Sequence, residues 1–210
     1  MAKGYWLPQI DVRDPEGYKS YTAATPPAHH KYSGVALVRG GRSEVVEGRV
    51  RGRCVVREFP DYATALACYR SDDYQRARPL RLAHSTGDFV VVEGYDGAQP
   101  LSSLAPTAAT APKGYWIGHV DVTDPEGYKA YLIANQAPFG AFGARYLVRA
   151  GKREVTEGKA RGRTVVLEFP SYDLALACYH SPAYQAAKEL RAGKAEADLV
   201  VAEGYDGAKF

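Results

Sequence analysis

Cysteine is scarce: there are three in 210 residues. An odd, low count supports no disulfide framework, so a reducing cytoplasm is the expected compartment. No apolar run approaches the roughly 20 residues that a membrane helix requires. The opening Met1-Ala2-Lys3-Gly4-Tyr5-Trp6 lacks the apolar centre and cleavage pattern of a signal peptide. Charge of one sign is not in excess: 27 Lys+Arg face 24 Asp+Glu, for a net charge of +3. The charges are interspersed, which leaves no basic footprint for nucleic acid. There is no phosphate loop, dinucleotide fingerprint, zinc-ligand spacing or Ser-His-Asp signature. With methionine present once and phenylalanine six times, the 16 tyrosines stand out.

What the chain does contain is itself, twice. Lys3-Gly4-Tyr5-Trp6 recurs as Lys113-Gly114-Tyr115-Trp116, and the register then holds without a gap to Ala98 and Ala208. Asp14-Pro15-Glu16-Gly17-Tyr18-Lys19 matches Asp124-Pro125-Glu126-Gly127-Tyr128-Lys129, and Glu58-Phe59-Pro60 matches Glu168-Phe169-Pro170. Residues 1–98 and 113–210 are therefore read as two copies of one small domain. Residues 99–112, rich in Pro, Ala, Ser and Thr, are read as an extended linker.

The second copy shows the elements most clearly. Tyr115–Val122 alternates as a strand. Asp124 suits a helix N-cap with Pro125 at the first position. Tyr128, Tyr131, Asn135 and Phe139 then form one helical stripe, with a break expected at Pro138. Arg145–Arg149 reads as a second strand; Glu154–Glu157 either prolongs it or forms a short extra one. Thr164–Phe169 is a third strand, Ser171 caps a second helix that continues from Tyr184 to Ala192, and Leu199–Glu203 closes the repeat. The order βαββαβ is the ferredoxin-like split arrangement, α+β in class. It covers one sheet face with helices and leaves the other bare. Two fused copies can cover each other with two-fold symmetry, an intramolecular pseudo-dimeric α/β barrel. Two separate beads, each dimerising with another chain, are the alternative, and further homodimerisation stays open.

The motifs Lys-Gly-Tyr-Trp, Asp-Pro-Glu-Gly-Tyr-Lys-x-Tyr, Leu-Val-Arg-x-Gly, Glu-Phe-Pro and Tyr-Gln-x-Ala resemble the family called domain of unknown function 1330, of the dimeric α/β-barrel superfamily. The resemblance implies a ferredoxin-like fold that pairs through its sheets. The wider superfamily holds cofactor-free monooxygenases, lactone isomerases, polyketide cyclases and haem enzymes, so fold alone does not define chemistry. Between the first helix and second strand the second copy follows the family pattern, with Asn135, Phe139 and the pair Arg145-Tyr146. The first copy has lost these and carries His29, His30 and Tyr32 instead, while Arg39 persists opposite Arg149.

The candidate site follows from these differences. Arg145 and Arg149, four apart on a strand, are expected on one face. With Asn135 on the facing helix they suit a carboxylate, enolate or carbonyl oxygen. Tyr128, Tyr131, Phe139 and Tyr146 would line that pocket, with Tyr32 and Arg39 in the first copy. His119, and His29 or His30, are candidates to move a proton. Glu168 is a strand-borne carboxylate with catalytic or structural potential. Cys68 and Cys178 read as small core residues. The expected function is a cofactor-free, metal-free enzyme of small-molecule metabolism that isomerises, cyclises or rearranges an anionic or carbonyl-bearing substrate. A non-catalytic ligand-binding or scaffold protein and a cofactor-free monooxygenase are the alternatives.

Overall fold

The computed structural model describes residues 1–104 and 112–207. Part of the expected linker, 105–111, and the end of the second copy, 208–210, lie outside the described residues. The first repeat runs β1 (Gly4–Val12), α1 (Pro15–Ala24), α2 (Pro26–Lys31), β2 (Val35–Arg39), β3 (Ser43–Glu47), β4 (Arg53–Phe59), α3 (Tyr62–Arg70), α4 (Asp72–His84) and β5 (Ser85–Glu93). The second repeats it as β6 (Gly114–Val122), α5 (Pro125–Ala134), α6 (Gln136–Ala141), β7 (Arg145–Arg149), β8 (Arg153–Glu157), β9 (Arg163–Phe169), α7 (Tyr172–His180), α8 (Pro182–Glu189) and β10 (Ala195–Glu203).

Capping explains the helices. Asp14 and Asp124 each accept a hydrogen bond from the backbone N–H three residues on, at 3.0 Å, and a proline follows at the first helical position. Each helix expected to be continuous is in fact two. Ser71 and Ser181 adopt extended backbone and their hydroxyls cap a fresh helix at Tyr74 and Tyr184. The first helix of the second repeat breaks at Asn135, not at Pro138, which sits inside α6.

Two antiparallel five-stranded sheets result, in the orders β2-β4-β1-β5-β8 and β3-β10-β6-β9-β7. The short extra strand is exchanged: β3 of the first repeat pairs with β10, and β8 of the second pairs with β5. A half-buried carboxylate locks each exchange. Both carboxylate oxygens of Glu47 on β3 accept from Arg191 Nη2 at 2.6 Å. Glu157 on β8 accepts from Arg81 at 2.5 Å, from Tyr69 at 2.7 Å and from Arg78 at 3.0 Å.

Three apolar clusters form the core. One lies under the helices of each repeat, around Trp6 and Trp116. Their indole N–H groups donate to the carbonyls of Ala65 and Ala175 at 2.8 and 2.9 Å. The third lies between the sheets and mixes both repeats, including Tyr5, Leu7, Val56 and Val90 with Tyr115, Ile117, Val166 and Val200. The bare faces thus cover each other within one chain. The first linker residues are docked rather than extended free. Gln99 bonds the Tyr146 backbone in both directions, at 2.7 and 3.2 Å, along the open edge of β7. Leu101 passes so close to Gly140 that a Cβ there would meet its carbonyl oxygen at 2.2 Å. Among the described residues no helix is long and apolar enough to cross a membrane.

Candidate functional site

Each repeat has a cleft between its first helix pair and its sheet. In the second repeat it spans about 610 Å³, open solvent at its mouth included. Its walls are mostly apolar: Trp116, Phe139, Val165, Leu167 and Leu199. Asn135, 2% exposed, reaches it from the break between α5 and α6. Its Oδ1 accepts from Gln136 Nε2 at 2.7 Å, and that same amide donates to the Tyr146 hydroxyl at 3.1 Å. This chain sets which end of the Asn135 carboxamide is spoken for and leaves its NH₂ free to serve the cleft. The Arg149 guanidinium lies over the Tyr146 ring at 4.7 Å, and donates to the Tyr95 hydroxyl at 3.4 Å. Arg163 lies over the Tyr128 ring at 5.7 Å. Tyr131 and Tyr184 share a hydroxyl–hydroxyl contact of 3.2 Å at the floor, beside Arg191. Burial pushes the Tyr146 phenol above its ordinary range, so it keeps its proton. Among the described residues no Asp, Glu or His lines this cleft. It is a set of donors on an apolar wall, suited to an oxyanion or carbonyl oxygen.

The equivalent cleft of the first repeat spans about 600 Å³, open solvent at its mouth included. Arg39 and Arg53 stand where Arg149 and Arg163 do, but Thr25 replaces Asn135, His29 replaces Phe139 and Arg57 replaces Leu167. His29 is 6% exposed and packs edge-on against Trp6 at 5.6 Å. Burial first, then the positive charges of Arg57 and Arg39, pull its pKa down to about 3, so the imidazole is neutral. Its neighbour His30 points away and is exposed, as adjacent positions on one helix do, and Tyr32 caps α2 outside the cleft.

The structure thus gathers Asn135, Tyr128, Tyr131, Phe139, Tyr146 and Arg149 in one cleft and His29 and Arg39 in the other. It separates three further candidates from both. Arg145 was expected beside Arg149, but the β7–β9 register shifts between Tyr146 and Val148. That bulge reverses the parity of side chains. Arg145 therefore points to the far side, where its guanidinium bonds Glu168 at 3.1 Å. Glu168 also accepts from Lys113 at 2.7 Å and from Tyr115 at 3.2 Å, an ion-pair knot at one end of the inter-sheet core. His119 shares the face of Tyr115 and Ile117, which belong to that core. It meets Thr164 Oγ1 at 3.2 Å, and burial, then Arg153, draws its pKa down to about 4.

Several contributors were not singled out from the sequence. Arg57, inside the apolar run Arg53–Phe59, was signalled by its mismatch with Leu167. Tyr95 belongs to the other repeat from Arg149, and Arg39 is met likewise by Tyr205 at 3.4 Å. Arg191 and its Glu47 also span the two repeats. Arginines of each cleft are thus held from outside it by the partner repeat, a relation no local pattern records.

The sequence comparison with curated proteins returns no match. Several solved structures share the architecture at low identity. One from Fusobacterium nucleatum, named as a candidate monooxygenase, has a TM-score of 0.54 and 12% identity, covering 100% of this chain and 96% of that one. An anthrone oxidase-like protein has a TM-score of 0.52 and 14% identity, over 100% and 95%. A candidate chlorite dismutase has a TM-score of 0.56 and 6% identity, over 98% and 96%. These likenesses establish the dimeric α/β-barrel fold. The family model for the domain of unknown function DUF1330 matches twice, over residues 3–95 and 113–205; the chain belongs to that family, as a tandem pair of its domains.

Proposed function

We propose that the chain is an enzyme of small-molecule metabolism. Its second-repeat cleft would hold a largely apolar, carbonyl-bearing substrate and stabilise the enolate formed from it. The observation that carries this reading is the convergence of Asn135, Tyr146 and Arg149 on one apolar cleft without a carboxylate among its described lining residues. Such preorganised donors act most strongly where charge develops away from water. With no imidazole or carboxylate in that lining, the residues contribute electrostatic stabilisation, and the proton leaves to water or to another group of the substrate. Isomerisation, cyclisation and rearrangement all pass through such an oxyanion.

The test uses 2-naphthol, whose naphtholate absorbs and emits distinctly. A cleft built for an oxyanion lowers the pKa of the bound naphthol, so the naphtholate spectrum emerges at a pH where free naphthol is neutral. Asn135→Leu and Arg149→Gln should each reduce the bound naphtholate by about tenfold or more, the order expected for a charge-assisted hydrogen bond. Naphthol bound only in its neutral form, or unaffected by both variants, would overturn the reading in favour of a simple ligand-binding protein. An enolate held in this way is also the reactant that cofactor-free oxygenation requires. Oxygen uptake with an enolisable aromatic ketone would therefore move the assignment to a monooxygenase; proton exchange at its α-carbon without uptake supports isomerase-type chemistry.

A further inference from the structure

Arg57 is 7% exposed, and its one hydrogen bond among the described residues runs from Nη1 to the Gly34 carbonyl at 2.6 Å. Among the described residues no carboxylate pairs with it, and none lines the first-repeat cleft. A buried cation left with one neutral acceptor is costly, and burial pulls its pKa down to about 10. The other two arginines of the cleft are no better neutralised. Arg53 spends Nη2 on the Arg39 carbonyl at 2.7 Å, and its Nε is buried without an acceptor. Among the described residues the Arg39 guanidinium meets Tyr205 alone, through its hydroxyl at 3.4 Å and its ring at 5.5 Å. By contrast Arg81, buried still more deeply behind this cleft, is held by Glu157. The fold supplies a carboxylate where an arginine is structural and withholds it here.

From this we infer that the first-repeat cleft is a second ligand site, specific for the carboxylate of an aromatic or branched organic acid. Arg57 takes the carboxylate, Arg39 and Arg53 complete the cationic end, and Trp6, Ile10 and Phe89 receive the apolar body. Pro8 adds to the apolar wall, in the place where the second repeat has Gly118. Neutral His29 beside the arginines is an acceptor for a proton or a hydrogen bond from a hydroxyl on the acid. Both clefts keep the outer arginine pair, but Leu167 in place of Arg57 suits the second to a neutral carbonyl. The two lie on opposite sides of the paired sheets, so one chain carries two pockets of different charge preference.

Each cleft is lined by one of the two tryptophans in the chain, which allows them to be read separately. In a Trp116→Phe background, Trp6 emission should change saturably with benzoate, and benzamide, its neutral analogue, should bind at least about tenfold more weakly. Arg57→Leu, which installs the residue of the second repeat, should cost a similar factor in benzoate affinity while raising the thermal midpoint, since an unpaired buried charge is removed. The rise shows that the variant is folded. Calorimetric titration of the unaltered chain and of Arg57→Leu with the same two ligands assigns the benzoate binding that the substitution removes to the first-repeat cleft, whatever the second cleft binds. Equal binding of benzamide and benzoate, no saturable benzoate binding, or unchanged affinity in Arg57→Leu would overturn the inference.

Discussion

Replacing Glu157 by alanine should destabilise the protein by about 3–5 kcal/mol, a fall in thermal midpoint on the order of 10 °C. Glu157 sits on the exchanged strand β8 and is the sole carboxylate bonded to Arg81 among the described residues, whose side chain is 1% exposed. Removing it strands a guanidinium in the core with its Nε already lacking an acceptor. It also frees Tyr69 and Arg78 and unpins β8 from the other repeat. Glu154→Ala on the same strand is the control. Its pair with Arg70 is exposed on both sides, so it should cost no more than about 1 kcal/mol. The double variant Glu157→Leu with Arg81→Met removes both charges and should recover most of the loss, because an apolar pair of similar volume replaces a desolvated ion pair. Denaturant melts of the four proteins decide the matter. A loss below about 1 kcal/mol in Glu157→Ala would mean that backbone pairing alone holds the exchange.

Stability should fall steeply as the solution is acidified from pH 6.5 toward 4. Both His29 and His119 are neutral in the folded chain, with pKa values lowered from 6.5 to about 3 and about 4. In the unfolded chain both take up a proton near pH 6.5. The unfolded state then binds more protons than the folded one, so stability is fully present above pH 6.5 and is lost as pH falls toward the folded values. Two groups acting together give a slope of up to about 2.7 kcal/mol per pH unit. The groups responsible are specific. Burial comes first for both; Arg57 and Arg39 act on His29, and Arg153 acts on His119 against Asp198 and Asp88. His29→Phe and His119→Gln, each borrowing the residue of the other repeat, should each remove about half of the slope. Urea midpoints between pH 7 and 4.5 measure it; a flat profile, or a slope that survives both substitutions, would show that other groups carry it. Glu157 acts in a lower window. Burial works to raise its pKa, but the bonds from Arg81, Tyr69 and Arg78 prevail and lower it. Its contribution is therefore present above the ordinary carboxylate range and is lost as pH falls through the folded value.

Much of this molecule is legible from residues read in order. The repeat defines two like halves. Asp14 and Asp124 announce their helices, and the alternation of Tyr115–Val122 announces a strand that must hide one face. The stripe Tyr128, Tyr131, Asn135, Phe139 faces the sheet as its spacing requires, and the mismatch around Thr25–Ala36 marks the cleft that differs. Arg145 and His119 lie outside both clefts, for different reasons. Arg145 was placed with Arg149 by counting along an even strand, but a bulge in β7 reverses the count. His119 is a proton-transfer candidate by its chemistry, and its parity with Tyr115 and Ile117 turns it onto the face that meets the other sheet.

Periodicity, caps and turn residues act over a few positions, where the chain's own covalent geometry enforces the outcome; the sequence by itself therefore determined the number of repeats, the type of nearly every element, the family and which half would diverge. Only the tertiary structure decided that β3 and β8 change sheets, that Glu47 and Glu157 neutralise arginines of the opposite repeat, that Tyr95 and Tyr205 bond the arginines of the opposite repeat's cleft, and that no acid among the described residues pairs with Arg57. Those outcomes depend on which residues far apart in the chain meet once the two bare sheet faces are pressed together to exclude water.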